Sequence, residues 1–221
     1  MFTIKICGVT TADDASAAAA AGADAIGLNF YPESPRYVTP RAAETIVADL
    51  PKEVTKVGLF VNAPVDAMRE TFDLVRLDAI QLHGDETPEL MAELSDLPVL
   101  RAFRVDAQGL APVSQYLHRC DRLGCRPGAI LLDARREGKF GGTGQVIDWA
   151  AIDRERAMIE GHTVILAGGL TASNVTEAIA QVRPHGVDVS SGVEAAPGVK
   201  DDRLVREFVE LARRALDDLR G

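Results

Sequence analysis

At 221 residues, with 47% hydrophobic and 26% charged side chains, the chain is long enough to bury a sizeable core and too apolar to stay disordered. Its 24 Lys and Arg stand against 33 Asp and Glu, a formal charge of −9 that excludes a nucleic-acid binder, because phosphate-backbone affinity needs clustered cations. No apolar run approaches the ~18 residues of a membrane span. The start at Met1-Phe2-Thr3-Ile4-Lys5 already reads as a strand, with no leader expected ahead of it and a cytoplasmic setting expected for the product.

In chain order, short β-branched runs fall at 2–7, 24–29, 55–61, 78–82, 98–103, 128–132, 163–167 and 186–190. Between and after them, helical spacing occupies 12–21, 40–50, 64–75, 87–95, 109–122, 148–158, 172–182 and 200–219. Thr10 or Thr11 is positioned to cap the first helix, with Asp13 and Asp14 in its first turn, and Gly22 follows its alanine-rich body as a stop. Pro40, Pro64 and Pro88 open the next three helices, where a missing N–H leaves nothing unpaired. Asp148 reads as the cap of the sixth, ahead of Trp149. The last helix carries an apolar face through Leu204, Val205, Phe208, Leu211, Ala212, Ala215 and Leu219. Strict strand–helix alternation points to parallel pairing, and eight units in this length predict an α/β fold of one domain over 1–221, a (β/α)8 or TIM barrel. A doubly wound open sheet is the competing arrangement, although five to seven strands would be usual for it.

The even-numbered strands echo one another: Ala25-Ile26-Gly27-Leu28-Asn29, Ala79-Ile80-Gln81-Leu82-His83 and Ala129-Ile130-Leu131-Leu132-Asp133, with Val187-Asp188-Val189-Ser190-Ser191 a looser copy. Period-two alternation then sends Ile26, Leu28, Ile80, Leu82, Ile130 and Leu132 towards the helices. Asn29, His83 and Asp133 are left pointing inward at the strand tips.

Chemistry is expected at those tips. Strand seven ends in Ala167-Gly168-Gly169-Leu170 and strand eight in Ser190-Ser191-Gly192-Val193, and Gly141-Gly142-Thr143-Gly144 follows strand six. Loops after strands seven and eight of this fold hold phosphate on backbone N–H groups, and glycine admits the closest approach. Gly142, Gly168, Gly169, Ser191 and Gly192 are therefore candidate phosphate ligands. Cys7, at the end of strand one, needs modest stabilisation of its thiolate to act as a base. Asp133 needs an apolar or anionic setting to hold a proton and give it up as an acid. Strand six lies three places from strand one around an eight-strand ring, so the two groups face each other across the mouth, suited to taking a proton on one side of a small substrate and giving one on the other. Arg36, in the stiff loop Pro32-Glu33-Ser34-Pro35-Arg36, is placed to clamp a carboxylate. His83 reads as a rim hydrogen-bonding residue, with acid–base work as the alternative, and Cys120 and Cys125 read as buried thiols without metal-like spacing. The glycine-rich segment 134–146 reads as a lid or binding loop.

Together these pieces resemble the phosphoribosylanthranilate isomerase family of tryptophan biosynthesis. The matching motifs run the length of the chain in order: Lys5-Ile6-Cys7-Gly8, Gly27-Leu28-Asn29-Phe30, Ser34-Pro35-Arg36, Gly58-Leu59-Phe60-Val61-Asn62, Gln81-Leu82-His83-Gly84 and Leu132-Asp133. They continue with Gly141-Gly142-Thr143-Gly144, Leu166-Ala167-Gly168-Gly169-Leu170-Thr171 with Asn174-Val175, and Asp188-Val189-Ser190-Ser191-Gly192-Val193-Glu194. Ile147, where the family often has Phe, and Ala172, where it often has Pro, are mild departures. The resemblance implies an Amadori rearrangement with Asp133 as acid and Cys7 as base, Arg36 on the anthranilate carboxylate and the glycine tips on phosphate. It implies no metal and no organic cofactor, a phosphorylated small molecule as partner, and a monomer or homodimer. Another phosphosugar isomerase or epimerase, or a silent phosphosugar-binding protein, are the alternatives; metal-dependent epimerases need clustered His and Asp, and paired aspartates mark the histidine-pathway isomerase.

Overall fold

The computed structural model describes residues 2–106, 108–133 and 149–220. Eight strands, β1 (Ile4–Cys7), β2 (Ala25–Asn29), β3 (Thr55–Phe60), β4 (Ala79–Leu82), β5 (Val99–Arg104), β6 (Ala129–Asp133), β7 (Val164–Ala167) and β8 (Gly186–Val189), form a closed barrel in chain order. Every neighbouring pair is parallel, and β8 returns to β1 with Lys5 opposite Asp188. Helices α1 (Ala12–Ala20), α2 (Pro40–Val47), α3 (Val65–Val75), α4 (Pro88–Glu93), α5 (Ala111–Leu123), α6 (Trp149–Arg154), α7 (Val175–Val182) and α8 (Asp202–Asp218) follow the strands in turn. Among the described residues no helix is long and apolar enough to cross a membrane.

Local chemistry sets the helix starts. The Thr11 hydroxyl accepts the Asp14 N–H at 3.1 Å, and Thr39 and Thr87 do the same for Ala42 and Leu90 at 3.2 and 3.3 Å, each just ahead of a proline. Gly22 stops α1 with φ at +93°, a conformation that suits glycine.

Two apolar layers result from the strand alternation. Ile26, Leu28, Ile80, Leu82, Ile130 and Leu132 are all fully buried between sheet and helices, as the echo predicts. Each such side chain contributes about 1.5–3 kcal/mol by leaving water. Inside the barrel, Phe2, Ala25, Val57, Ala79, Leu100, Ala129, Leu131 and Ile165 form a separate dry floor. At its lower rim the Asp24 carboxylate accepts from the Ile4 N–H at 2.9 Å and from Arg213 of α8 at 2.8 Å, tying the first strand to the last helix.

Four expectations need correction. Lys200 is not helical: β9 (Glu194–Ala196) and β10 (Val199–Lys200) make an antiparallel hairpin ahead of α8. Helix α7 starts at Val175 rather than 172, because the Asn174 side chain accepts the Thr171 N–H at 2.8 Å and closes a turn first. The run to 158 breaks into α6 and a 3-10 turn, Arg156–Ile159. On α8, Leu219 is exposed beyond the helix end, while Val209 and Leu216 complete the buried face.

Candidate active site

At the C-terminal mouth of the barrel, one cavity of about 170 Å³ gathers Cys7, Arg36, Asp133, Gly168, Gly169, Ser191 and Gly192. Every candidate that falls among the described residues therefore lines it. Gly142, the Gly141–Gly144 tip, the expected loop 134–146 and the Asp148 cap lie outside the described residues.

The glycine tips are shaped by necessity. Gly168 and Gly169 hold φ at +87° and +65°, a region that side chains rarely adopt. A Cβ on Gly192 would run into the Leu170 carbonyl, so loops seven and eight pack together only because that atom is missing. Asn174 donates to the Gly169 carbonyl at 3.0 Å and pins the first of these loops. Gly192 sits in the middle of a short 3-10 segment, Ser191–Val193, through which the chain turns before entering β9.

Asp133 ends β6, and the His83 Nε2 lies 3.6 Å from its Oδ2. The other ring nitrogen of His83, Nδ1, faces the Gln81 amide nitrogen at 2.9 Å. With that amide donating, Nδ1 accepts and the ring proton sits on Nε2, towards the carboxyl group. His83 thus has a hydrogen-bonding place at the rim, next to the proposed acid.

Residues 4–211 match the family model described as N-(5′-phosphoribosyl)anthranilate (PRA) isomerase. The chain belongs to that family. It is 48% identical over 217 residues to the N-(5′-phosphoribosyl)anthranilate isomerase of Trichlorobacter lovleyi, covering 98% of this chain and 100% of the relative. The namesake from Pseudomonas syringae pv. syringae is 50% identical over 206 residues, covering 93% of this chain and 94% of its own. Among solved structures, phosphoribosyl anthranilate isomerase from Thermotoga maritima superposes with a TM-score of 0.85 at 38% identity, covering 97% of this chain and 100% of its own. A second, in complex with reduced 1-(o-carboxyphenylamino)-1-deoxyribulose 5-phosphate, gives 0.82 at 36% identity, with 97% and 100% covered.

The phosphoribosylanthranilate isomerase motifs hold a charge network that the sequence does not announce. Arg36 does not stand alone: its Nε and Nη2 donate to the two oxygens of Glu194 at 2.7 and 2.5 Å. Those hydrogen bonds hold the guanidinium above its ordinary value and take two of its five N–H donors, so an edge remains for a carboxylate. The Lys200 Nζ donates to Glu194 at 2.8 Å, to the Cys7 carbonyl at 2.6 Å and to the Ser190 carbonyl at 3.2 Å. Burial alone would raise the Glu194 carboxyl, but Arg36 and Lys200 outweigh it and hold it below the usual range. The β9–β10 hairpin thus braces both Arg36 and the strand that carries the thiol.

Cys7 itself is buried, which pushes its thiol up, while the neighbouring Lys5 ammonium pulls the other way. Burial outweighs the cation, so the thiol stands above its ordinary value rather than showing the modest thiolate stabilisation that a base needs; Lys5, paired with Asp188 at 2.7 Å, is the largest influence favouring the thiolate. Neither residue was singled out from the sequence. A lysine sharing the inward face of β1 with Cys7, two positions along, was the available signal.

Proposed function

We propose that this cavity rearranges N-(5′-phosphoribosyl)anthranilate to 1-(2-carboxyphenylamino)-1-deoxyribulose 5-phosphate, with Asp133 as acid and Cys7 as base. The observation that supports it is the opening of Cys7, Asp133, Arg36 and the glycine tips of loops seven and eight onto one cavity. Asp133 gives its proton to the furanose ring oxygen; the C1′–O4′ bond breaks and the nitrogen lone pair closes an iminium. Cys7 then takes the proton from C2′, and the C–H electrons form the C1′=C2′ bond of an enolamine while the iminium nitrogen recovers its pair. A proton returned to C1′ and another lost from the C2′ hydroxyl give the ketone and leave both side chains as they began. The iminium is the electron sink, so the balance closes without an oxidant or reductant.

Arg36 holds the anthranilate carboxylate on the guanidinium edge that Glu194 leaves open, and the phosphate lies on the backbone of Gly168, Gly169, Ser191 and Gly192, with Gly142 adding donors. The residues named extend from β1 to the loop after β8, which supports one catalytic domain over 1–221; it acts on a phosphorylated small molecule, and a cytoplasmic setting belongs to the same proposal.

The test is the loss of substrate fluorescence with freshly prepared phosphoribosylanthranilate, with the product identified by mass and by its keto carbon. Turnover is expected for the wild type and not for Cys7→Ala or Asp133→Ala, each folded by circular dichroism. Undiminished turnover in either variant removes that residue's role.

A further inference from the structure

Lys5 is 0% exposed, and its ammonium is among the groups least often found fully buried without a partner. The partner is Asp188, directly opposite on β8, with Oδ1 2.7 Å from Nζ. An ion pair of this kind in a dry interior is weak as a device for stability, since apolar side chains of similar volume fill such space as well or better. Its position suggests what else it does.

Lys5 and Cys7 lie two residues apart on β1 and share its inward face, over Gly27 of β2, the residue paired with Cys7. A Cβ on Gly27 would fall 2.7 Å from the Cys7 Sγ and 3.0 Å from both Cε and Nζ of Lys5. The sulfur and the ammonium therefore lean into the same gap, within ~6 Å of one another, the range in which an opposite charge governs ionisation. Lys200, the other buried ammonium nearby, spends its donors on Glu194 and on the carbonyls of Cys7 and Ser190, and it pulls on the thiol less than Lys5 does.

We propose that Lys5 is a positioning residue for the thiol, its ammonium anchored by Asp188 so that Cys7 is held over the cavity as a thiolate when a base is needed. This rests on the reading of Cys7 as the base and goes one residue further. The charges that face Cys7 fit it. Lys5 comes from β1, Asp188 from β8, Arg36 from the loop after β2, Glu194 from β9 and Lys200 from β10, with His83 and Asp133 across the cavity. Lys5, Arg36 and Lys200 carry three positive charges against the two of Asp188 and Glu194, and a thiolate at Cys7 evens the count on that side. Burial raises the thiol above its ordinary value and Asp188 adds to that, while the Lys5 cation is the largest influence opposing them, so removing its charge raises the thiol further.

The experiment is the rate of Cys7 carbamidomethylation by iodoacetamide as a function of pH, mapped by mass spectrometry on the full chain without substrate. Two variants remove the cation differently. Lys5→Gln keeps a donor for Asp188, and the pair Lys5→Met with Asp188→Asn leaves no buried charge unpaired. Each is expected to raise the apparent pKa of Cys7 alkylation by about one to three pH units, and to move the ascending limb of the kcat/KM profile by the same amount. Lys5→Arg is expected to restore most of both. An alkylation profile that coincides with the wild type in either charge-removing variant overturns the proposal, as does Lys5→Arg behaving like Lys5→Gln. Alkylation needs no turnover, so it separates this claim from the assignment of Cys7 as base, which falls only if Cys7→Ala stays active.

Discussion

Replacing Glu194 by Gln keeps the shape of the side chain and deletes the charge that holds Arg36 and Lys200. The carboxylate is 4% exposed and accepts three charge-assisted hydrogen bonds, two from Arg36 and one from Lys200. A glutamine offers one acceptor oxygen and turns an N–H2 group towards at least one cation. Lys200 at 1% exposure and Arg36 at 19% have little water to replace what is lost. Removing one partner from a buried pair destabilises by about 3–5 kcal/mol. In a chain of this size each kcal/mol moves the midpoint by about 2–4 °C, so a fall on the order of 10 °C is expected by calorimetry.

The same substitution has a pH signature. The Glu194 carboxyl lies below its ordinary value in the folded protein, so the folded state binds fewer protons there than the unfolded chain. Its contribution is complete above the unfolded value of roughly 4.3 and fades as pH falls through the lower folded one. The gap between wild type and Glu194→Gln should accordingly be widest near neutrality and shrink below pH 4.5 or so. With the clamp loosened, KM for the carboxylated substrate should rise more than kcat falls. A midpoint within about 2 °C of wild type at pH 7, or a gap that stays constant into acid, would refute this account of the network.

Gly192→Ala should raise KM by about tenfold or more while the protein stays folded, because a Cβ there meets the Leu170 carbonyl and parts the loops after β7 and β8; an unchanged KM in steady-state assays counts against the proposed phosphate cradle. Gly27→Ala should lower kcat by about a hundredfold, since its Cβ displaces the Cys7 sulfur and the Lys5 ammonium together; single-turnover rates equal to wild type would show that their placement does not matter.

Much of this was legible in the chain. Alternation of short apolar runs with capped helices is a local pattern, and so are the two faces of a strand; Ile26, Ile80 and Ile130 went where a period of two sends them. Cys7, Asp133 and the glycine tips share a cavity because each ends a strand, a property that adjacent residues declare. What stayed hidden depends on pairs remote in sequence. Lys5 and Asp188 are 183 residues apart and Arg36 and Glu194 are 158 apart, and nothing near either member says that a partner exists. The β9–β10 hairpin went unseen, with Lys200 taken into the expected last helix, because strands of three and two residues leave no period to detect.

The inner columns of the barrel explain why those hidden pairs are the sensitive part. Reading upward, β2 presents Ala25, Gly27 and Asn29, β4 presents Ala79, Gln81 and His83, and β6 presents Ala129, Leu131 and Asp133. Each column starts apolar and ends in a group that lines the cavity. The floor beneath the site is therefore dry, and charges that stand on it are poorly screened from below. Under that condition a lysine cannot be placed beside the thiol without a carboxylate to hold it, nor an arginine beside the substrate without another. Asp188 and Glu194 answer these two needs separately, one on the barrel wall and one on the hairpin. Removing the charge of Lys5 should then move the ionisation of Cys7, and removing that of Glu194 should act through the Arg36 clamp and the fold. If both substitutions moved the same quantity by the same amount, the two ion pairs would form one coupled cluster, and the separate tasks assigned to them would be wrong.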